Sequence, residues 1–161
     1  MSKLNINITV NKKKYEKEIN SNLLLVDFIR DELKLTGTHV GCDTSQCGAC
    51  MIMLNGQAVK SCTILTAQLN NQEITTIENI EKDGKLHPMQ EAFRNNHGLQ
   101  CGFCTPGMII SAISLVNENN EPNEDEIRKH MEGNFCRCTG YQNIIKSVIE
   151  GAKIMKELES N

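Results

Sequence analysis

Three cysteines share one short loop, Cys42-Asp43-Thr44-Ser45-Gln46-Cys47-Gly48-Ala49-Cys50, and a fourth, Cys62, follows downstream. The C-x4-C-x2-C spacing with a later cysteine is the plant-type 2Fe–2S pattern. Four thiolates must converge on one small inorganic core. Three from a tight loop and one from a neighbouring strand can do so. Gly41 and Gly48 flank the cysteines, and glycine lets backbone take positive φ and approach a cluster closely. The N–H groups of such a loop can point at the sulfurs and tune their potential. The competing chemistries are a structural zinc site, which more often uses two C-x2-C knuckles or Cys/His pairs, and a set of unrelated buried thiols.

A second set consists of Cys101 and Cys104, then Cys136 and Cys138. The first pair stands directly before a predicted helix opened by Thr105-Pro106, the second before one opened by Tyr141. Helix N-termini carry partial positive charge and free N–H donors, both of which favour thiolates. If those two helices pack with their N-termini adjacent, four thiols meet at one point. A C-x2-C redox dithiol is an alternative at Cys101/Cys104, although it gives Cys136 and Cys138 no role. Zinc is a rival here as well. His39, His87, His97 and His130 form no C-x-H or H-x3-H pair, which argues against a Rieske centre; they are expected to be surface or capping residues.

Eight cysteines in 161 residues could also form a disulfide framework. Met1-Ser2-Lys3-Leu4 runs straight into alternating polar and apolar residues, so no secretory signal is expected and metal ligation is the better reading. No run of roughly 18 apolar residues occurs, so no membrane span is expected, and the chain reads as cytoplasmic. Formal net charge is −3. An oxidised 2Fe–2S core with four thiolates carries roughly −2, and two would take the chain to about −7. That excludes nucleic acid as an expected partner. Aromatic residues make up only 4 % of the chain, with no Trp. Such thin cores benefit from inorganic cross-links.

The elements that must position these cysteines fall into two kinds. Residues 4–10 alternate with period two, and 14–19 read as the partner strand across a turn at 11–13. Ser21 or Asn22 can cap a helix carrying Leu24, Leu25, Phe28, Ile29 and Leu33, ending before Gly37. Residues 51–54 and 57–59 form a hairpin around Asn55-Gly56, a strong turn signal. A last strand spans 73–77. Residues 78–86 are polar and read as a linker or boundary. Beyond it, helices are expected from Pro88 to Asn96, from Thr105, from an Asn123/Glu126 capping box to about Met131, and from Tyr141 to Leu158. This makes a mixed α+β sheet unit followed by a small helical bundle.

Four stretches, taken together, resemble the small iron–sulfur subunit of molybdenum hydroxylases, the carbon monoxide dehydrogenase, aldehyde oxidase and xanthine dehydrogenase family. They are Gly37-Thr38-His39-Val40-Gly41-Cys42, Cys47-Gly48-Ala49-Cys50, Gly98-Leu99-Gln100-Cys101-Gly102-Phe103-Cys104-Thr105-Pro106-Gly107 and Asn134-Phe135-Cys136-Arg137-Cys138-Thr139-Gly140-Tyr141. The resemblance covers nearly the whole chain, and the local wording is most similar to the carbon monoxide and aldehyde dehydrogenase branches. It implies an α+β protein: a β-grasp, ferredoxin-like 2Fe–2S domain over residues 1–78, a linker at 79–86, and an all-α four-helix 2Fe–2S domain over 87–161. It implies ligation of one cluster by Cys42, Cys47, Cys50 and Cys62 and of the other by Cys101, Cys104, Cys136 and Cys138. It implies electron transfer from molybdopterin (as a cytosine dinucleotide) in a large subunit, through the helical-domain cluster and then the ferredoxin-type one, towards FAD in a medium subunit, within a heterotrimer or its dimer. The chain would be the non-catalytic electron-transfer subunit of that oxidoreductase. Gln100 and Cys138 would lie against the pterin. An amide offers donors and an acceptor to a heterocycle edge; the alternative is that Gln100 only caps local backbone. A free-standing ferredoxin-type carrier would explain residues 1–77 alone, and a zinc-stapled binding module would need no redox role.

Overall fold

The computed structural model describes residues 2–160. Its first half is a five-stranded mixed sheet in the order β2-β1-β5-β3-β4. Strands β1 (Lys3–Val10) and β2 (Lys13–Asn20) pair antiparallel through a two-residue turn, Asn11-Lys12, with both residues at positive φ. That left-handed geometry matches the twist of the flanking strands. Strands β3 (Met51–Leu54) and β4 (Gln57–Lys60) do the same across Asn55-Gly56. Strand β5 (Glu73–Thr75) lies parallel to β1 and antiparallel to β3, closing the sheet. It is shorter than the 73–77 expected, because Ile77–Asn79 turns into a 3-10 helix.

Helix α1 crosses this sheet. It begins at Leu25–Asp27 and continues as a wider π-type turn, Phe28–Glu32, in which Leu33 N–H reaches Phe28 O at 3.0 Å. Leu24 precedes it in extended backbone with no side-chain cap, so the Ser21/Asn22 cap expected from the sequence is not used; Phe28 and Ile29 are fully buried in the core. They pack there with Ile6, Ile8, Val10 and Ile52.

The second half holds α2 (Pro88–Asn95), α3 (Thr105–Glu118), α4 (Glu124–His130) and α5 (Gln142–Glu159). Helix α3 is buried continuously from Gly107 to Val116. A helix buried all round must have neighbours on every side. On one side these are Met89, Phe93, Ile144 and Val148; on the other is the back of the sheet. Strand β3 alternates, with Ile52 facing the first core and Met53 the second. Ala58 N–H donates to Ser114 Oγ at 3.1 Å across the same seam. Polar residues 78–86 are also anchored: Ile80 is buried in the helical core, and Lys82 and Lys85 pair backbones around Asp83-Gly84.

Helix starts follow their capping chemistry. Asn123 and Glu126 form the reciprocal box expected. At α2 the box is unexpected in type: Met89 N–H donates to His87 Nδ1 at 3.1 Å, and His87 N–H to the Gln90 side chain at 2.9 Å. A ring nitrogen can accept only when it carries no proton. Burial first, and the Lys82 charge second, lower the His87 pKa below its ordinary 6.5. The folded chain therefore binds this proton less readily than the unfolded chain. The stabilisation is complete above the unfolded value and disappears as pH falls through the folded one. Replacing His87 by Ala should cost about 1 kcal/mol near neutral pH. His87→Asn, which caps without titrating, should flatten the loss of stability between about pH 7 and pH 5. Denaturant unfolding of the parent and the Asn variant across that range measures this, and parallel curves would show that His87 contributes nothing to the acid limb.

Candidate metal centres

The first cysteine loop runs from the end of α1 to β3. It is held flat by His39 N–H to Ala49 O at 3.1 Å. Ser61 reaches back to Cys50 O with both its N–H, at 3.2 Å, and its hydroxyl, at 2.7 Å. That brings the turn carrying Cys62 beside Cys50. Cys42 Sγ accepts the Cys47 N–H at 3.4 Å. This bond, then the Cys47 side chain and the Thr44 N–H, lower the Cys42 pKa to about 6. Cys47 Sγ accepts Ala49 N–H at 3.5 Å, yet burial outweighs this and raises its pKa. Burial, with the Cys62 and Cys47 thiols nearby, pushes Cys50 up to about 11. Sulfur and backbone lie close: a Cβ on Gly41 would stand 3.2 Å from Cys47 Sγ.

Cys101 and Cys104 stand just before α3, and Cys136 and Cys138 just before α5. Cys104 rather than Thr105 occupies the N-cap of α3; Thr105 is the first helical residue and its buried hydroxyl has no hydrogen-bond partner among the described residues. Tyr141, at positive φ, is the N-cap of α5, so that helix starts at Gln142. The Tyr141 hydroxyl accepts the Cys136 N–H at 2.9 Å. Thr139 donates to Cys136 Sγ with its hydroxyl at 3.2 Å and its N–H at 3.5 Å. Burial works against the Cys136 thiolate, but the Thr139 and Cys138 donors prevail and its pKa is lowered. Burial, followed by the Cys136 side chain, pushes Cys104 up to about 12. The side chain of Cys101 raises the pKa of Cys138.

Sulfur interacts with sulfur only within each set. Cys42 and Cys47 shift one another's pKa, Cys50 feels both Cys62 and Cys47, Cys104 feels Cys136 and Cys101, and Cys138 feels Cys101 and Cys136. Among the described residues no three metal-binding side chains close around a single point.

The two sets are also connected. Phe135 N–H, adjoining Cys136, donates to Cys47 O at 2.8 Å. Asn134, buried, reaches Gly48 O at 3.4 Å. His39 stacks on Phe103 with centroids 4.6 Å apart, and its Nδ1 lies 2.7 Å from Phe103 O. A cavity of about 560 Å³ lies between, lined by Gly41, Cys47, Cys101, Cys104, Phe135 and Cys136. Gln100 is exposed beside Cys101, and no hydrogen bond to local backbone engages its amide among the described residues. Cys138 is exposed too. Lys60, Asn134, Thr139 and the Tyr141 hydroxyl were not singled out from the sequence. Asn134, Thr139 and Tyr141 all stand in the stretch 134–141 that carries the family resemblance; Lys60 lies in no such stretch.

Comparison with known proteins identifies the chain as a 2Fe–2S protein. The 2Fe–2S iron-sulfur cluster binding domain family matches residues 8–80, and a second 2Fe–2S binding domain family matches residues 76–149. The chain is 46% identical over 165 residues to caffeine dehydrogenase subunit gamma of Pseudomonas sp. (strain CBB1), covering 99% of both. It is 42% identical over 148 residues to the nicotine 6-hydroxylase small subunit of Paenarthrobacter nicotinovorans, covering 92% of this chain and 89% of that one. The crystal structure of quinoline 2-oxidoreductase from Pseudomonas putida 86 superposes with a TM-score of 0.91 at 38% identity, covering 96% of this chain and 97% of the matched chain. The chain therefore belongs to the small iron–sulfur subunits of the molybdenum hydroxylases. It is a subunit of an oxidoreductase complex. Among the described residues no helix is long and apolar enough to cross a membrane.

Proposed function

We propose that this chain relays single electrons between a molybdopterin-bearing large subunit and an FAD-bearing medium subunit, with one 2Fe–2S cluster in each half. Cys42, Cys47, Cys50 and Cys62 would hold the first, in a β-grasp unit over residues 1–78. Cys101, Cys104, Cys136 and Cys138 would hold the second, in a four-helix unit over 87–161 joined by 79–86. What supports this reading is the placement of the eight cysteines: Cys42, Cys47 and Cys50 on the loop into β3 with the Cys62 turn tied to Cys50 O through Ser61, and Cys101, Cys104, Cys136 and Cys138 just before α3 and α5.

The residues fit the clusters. Loop N–H groups already stabilise anionic sulfur at Cys42, and the Thr139 donors do so at Cys136. The orphaned Thr105 hydroxyl would gain an acceptor in a bound sulfide. When bound, each core supplies a reversible one-electron carrier. The chain's own part is to hold each core beside the other and to set its potential through N–H···S bonds, charge and exposure. The Phe135–Cys47 hydrogen bond links the backbone next to one quartet directly to the other. Gln100 and Cys138, exposed at the tip of the helical half, would meet the pterin, while residues 43–46 would face the electron acceptor. Substrate choice belongs to the large subunit.

Metal analysis of the purified chain should find about four iron atoms and about four inorganic sulfides, with two distinct EPR signals on reduction. The native complex should carry molybdenum and flavin. About two irons would support a single-cluster carrier, and a colourless, zinc-loaded protein would end the redox reading.

A further inference from the structure

Lys60 ends β4, two residues before Cys62. Its Nζ turns back over the first cysteine loop, donating to Ser45 O at 2.8 Å and to Gln46 O at 3.3 Å. Both carbonyls belong to the four-residue stretch between Cys42 and Cys47. Ser45 stands at positive φ, a backbone conformation that costs a non-glycine residue, and the Lys60 ammonium ties this turn from outside. Ser45 Oγ is also 3.8 Å from Cys62 Sγ. The other side of the ammonium faces the helical half, where a Cβ on Gly133 would lie 3.3 Å from Nζ. Arg30 donates to Thr36 O and Thr38 O earlier in the loop, but among the described residues Lys60 is the one cation hydrogen-bonded to the stretch between Cys42 and Cys47.

We infer that Lys60 is a positioning residue that sets the reduction potential of the first cluster: it fixes the loop and places a positive charge beside a centre that gains a negative charge on reduction. The inference rests on the first quartet holding a 2Fe–2S core. An oxidised core with four thiolates, at roughly −2, becomes roughly −3 on accepting one electron. A cation held at fixed distance and partly shielded from water favours the more negative state. Lys60 therefore raises the first potential, and the second quartet, with no hydrogen bond from Lys60, is left where it is.

The test is an EPR-monitored dithionite titration of the loaded chain, with the two signals assigned by Cys47→Ser and Cys104→Ser. In Lys60→Gln the first signal should appear at a more negative potential while the second stays in place; Lys60→Arg should restore the parent value. Nε-acetyllysine at position 60 keeps the stem and one N–H donor but loses the charge. It should shift the first potential in the same direction even where the Gln variant fails to load iron. Equal shifts at both clusters, an acetyllysine protein with the parent potential, or an Arg variant no better than Gln would overturn the assignment. A parent chain with iron only at the second quartet would instead refute the cluster assignment itself.

Discussion

Cys104→Ser is expected to erase one of two 2Fe–2S EPR signals, lower the iron content from about four to about two atoms per chain, and leave the other signal intact. Cys104 sits at the mouth of α3, where burial disfavours its free thiolate strongly. A serine hydroxyl is a far poorer anion than a thiol and cannot replace it on iron, and Cys136 loses the side chain it is paired with. No cysteine of the first set couples to Cys104, so the first site has no reason to respond. Cys47→Ser should give the mirror result. Its effect on stability should also fall on the sheet half, because Cys47 lies in the loop that leads into β3. Iron analysis and EPR on both variants check this. Loss of both signals from either variant would mean that the ligands are grouped wrongly.

Gly107→Ala should destabilise the chain by about 1–3 kcal/mol, the usual cost of forcing extra volume into a packed site. Gly107 opens the buried run of α3 directly beneath the first cysteine loop. A Cβ there would collide with Gly48 O and would lie 3.2 Å from Gly48 C and 3.3 Å from Ala49 Cα. All three are backbone atoms, so no flexible side chain can yield. Gly48 is constrained in turn: its φ is +70°, and a Cβ would meet Gly133 O and Asn134 Nδ2. Two glycines thus let the loop of one quartet rest on the helix that carries part of the other. Gly107→Ala should push these apart, weakening the magnetic interaction between the two reduced clusters and lowering the unfolding midpoint. Gly56→Ala is the control. It also stands at positive φ, but nothing lies within 4 Å of its added Cβ, so its cost should stay in the hairpin and the spin coupling should not change. Unaltered coupling in Gly107→Ala would show that the glycine contact does not set the spacing.

Much of this was legible in the residues. Asn55-Gly56 named its hairpin, Asn123/Glu126 named its capping box, and Pro106 marked the start of α3 just after Cys104. Other features were hidden for physical reasons. His87 is absent from the common cap residues, and its ring caps only through a nitrogen that carries no proton. The widened turn of α1 leaves the apolar spacing of Leu25, Phe28 and Ile29 unchanged, so periodicity cannot report it. Lys60 lies outside every cysteine motif, and its bonds go to carbonyls, which carry no side-chain signature. The contact of Gly48 with Gly107 joins positions far apart in the chain, and no local pattern encodes such a meeting. Met51-Ile52-Met53-Leu54 did carry a hint. An unbroken apolar strand is one covered on both faces.

That doubly covered strand limits how freely the chain can be cut. Met51, Met53 and Ala58 turn their side chains towards the helical core. A stop codon after residue 78 would strip away α3 and leave those residues bare on a flat β surface, the kind that recruits another copy of itself. Transplanting the amino-terminal half as a stand-alone redox module would need that face re-surfaced with polar side chains.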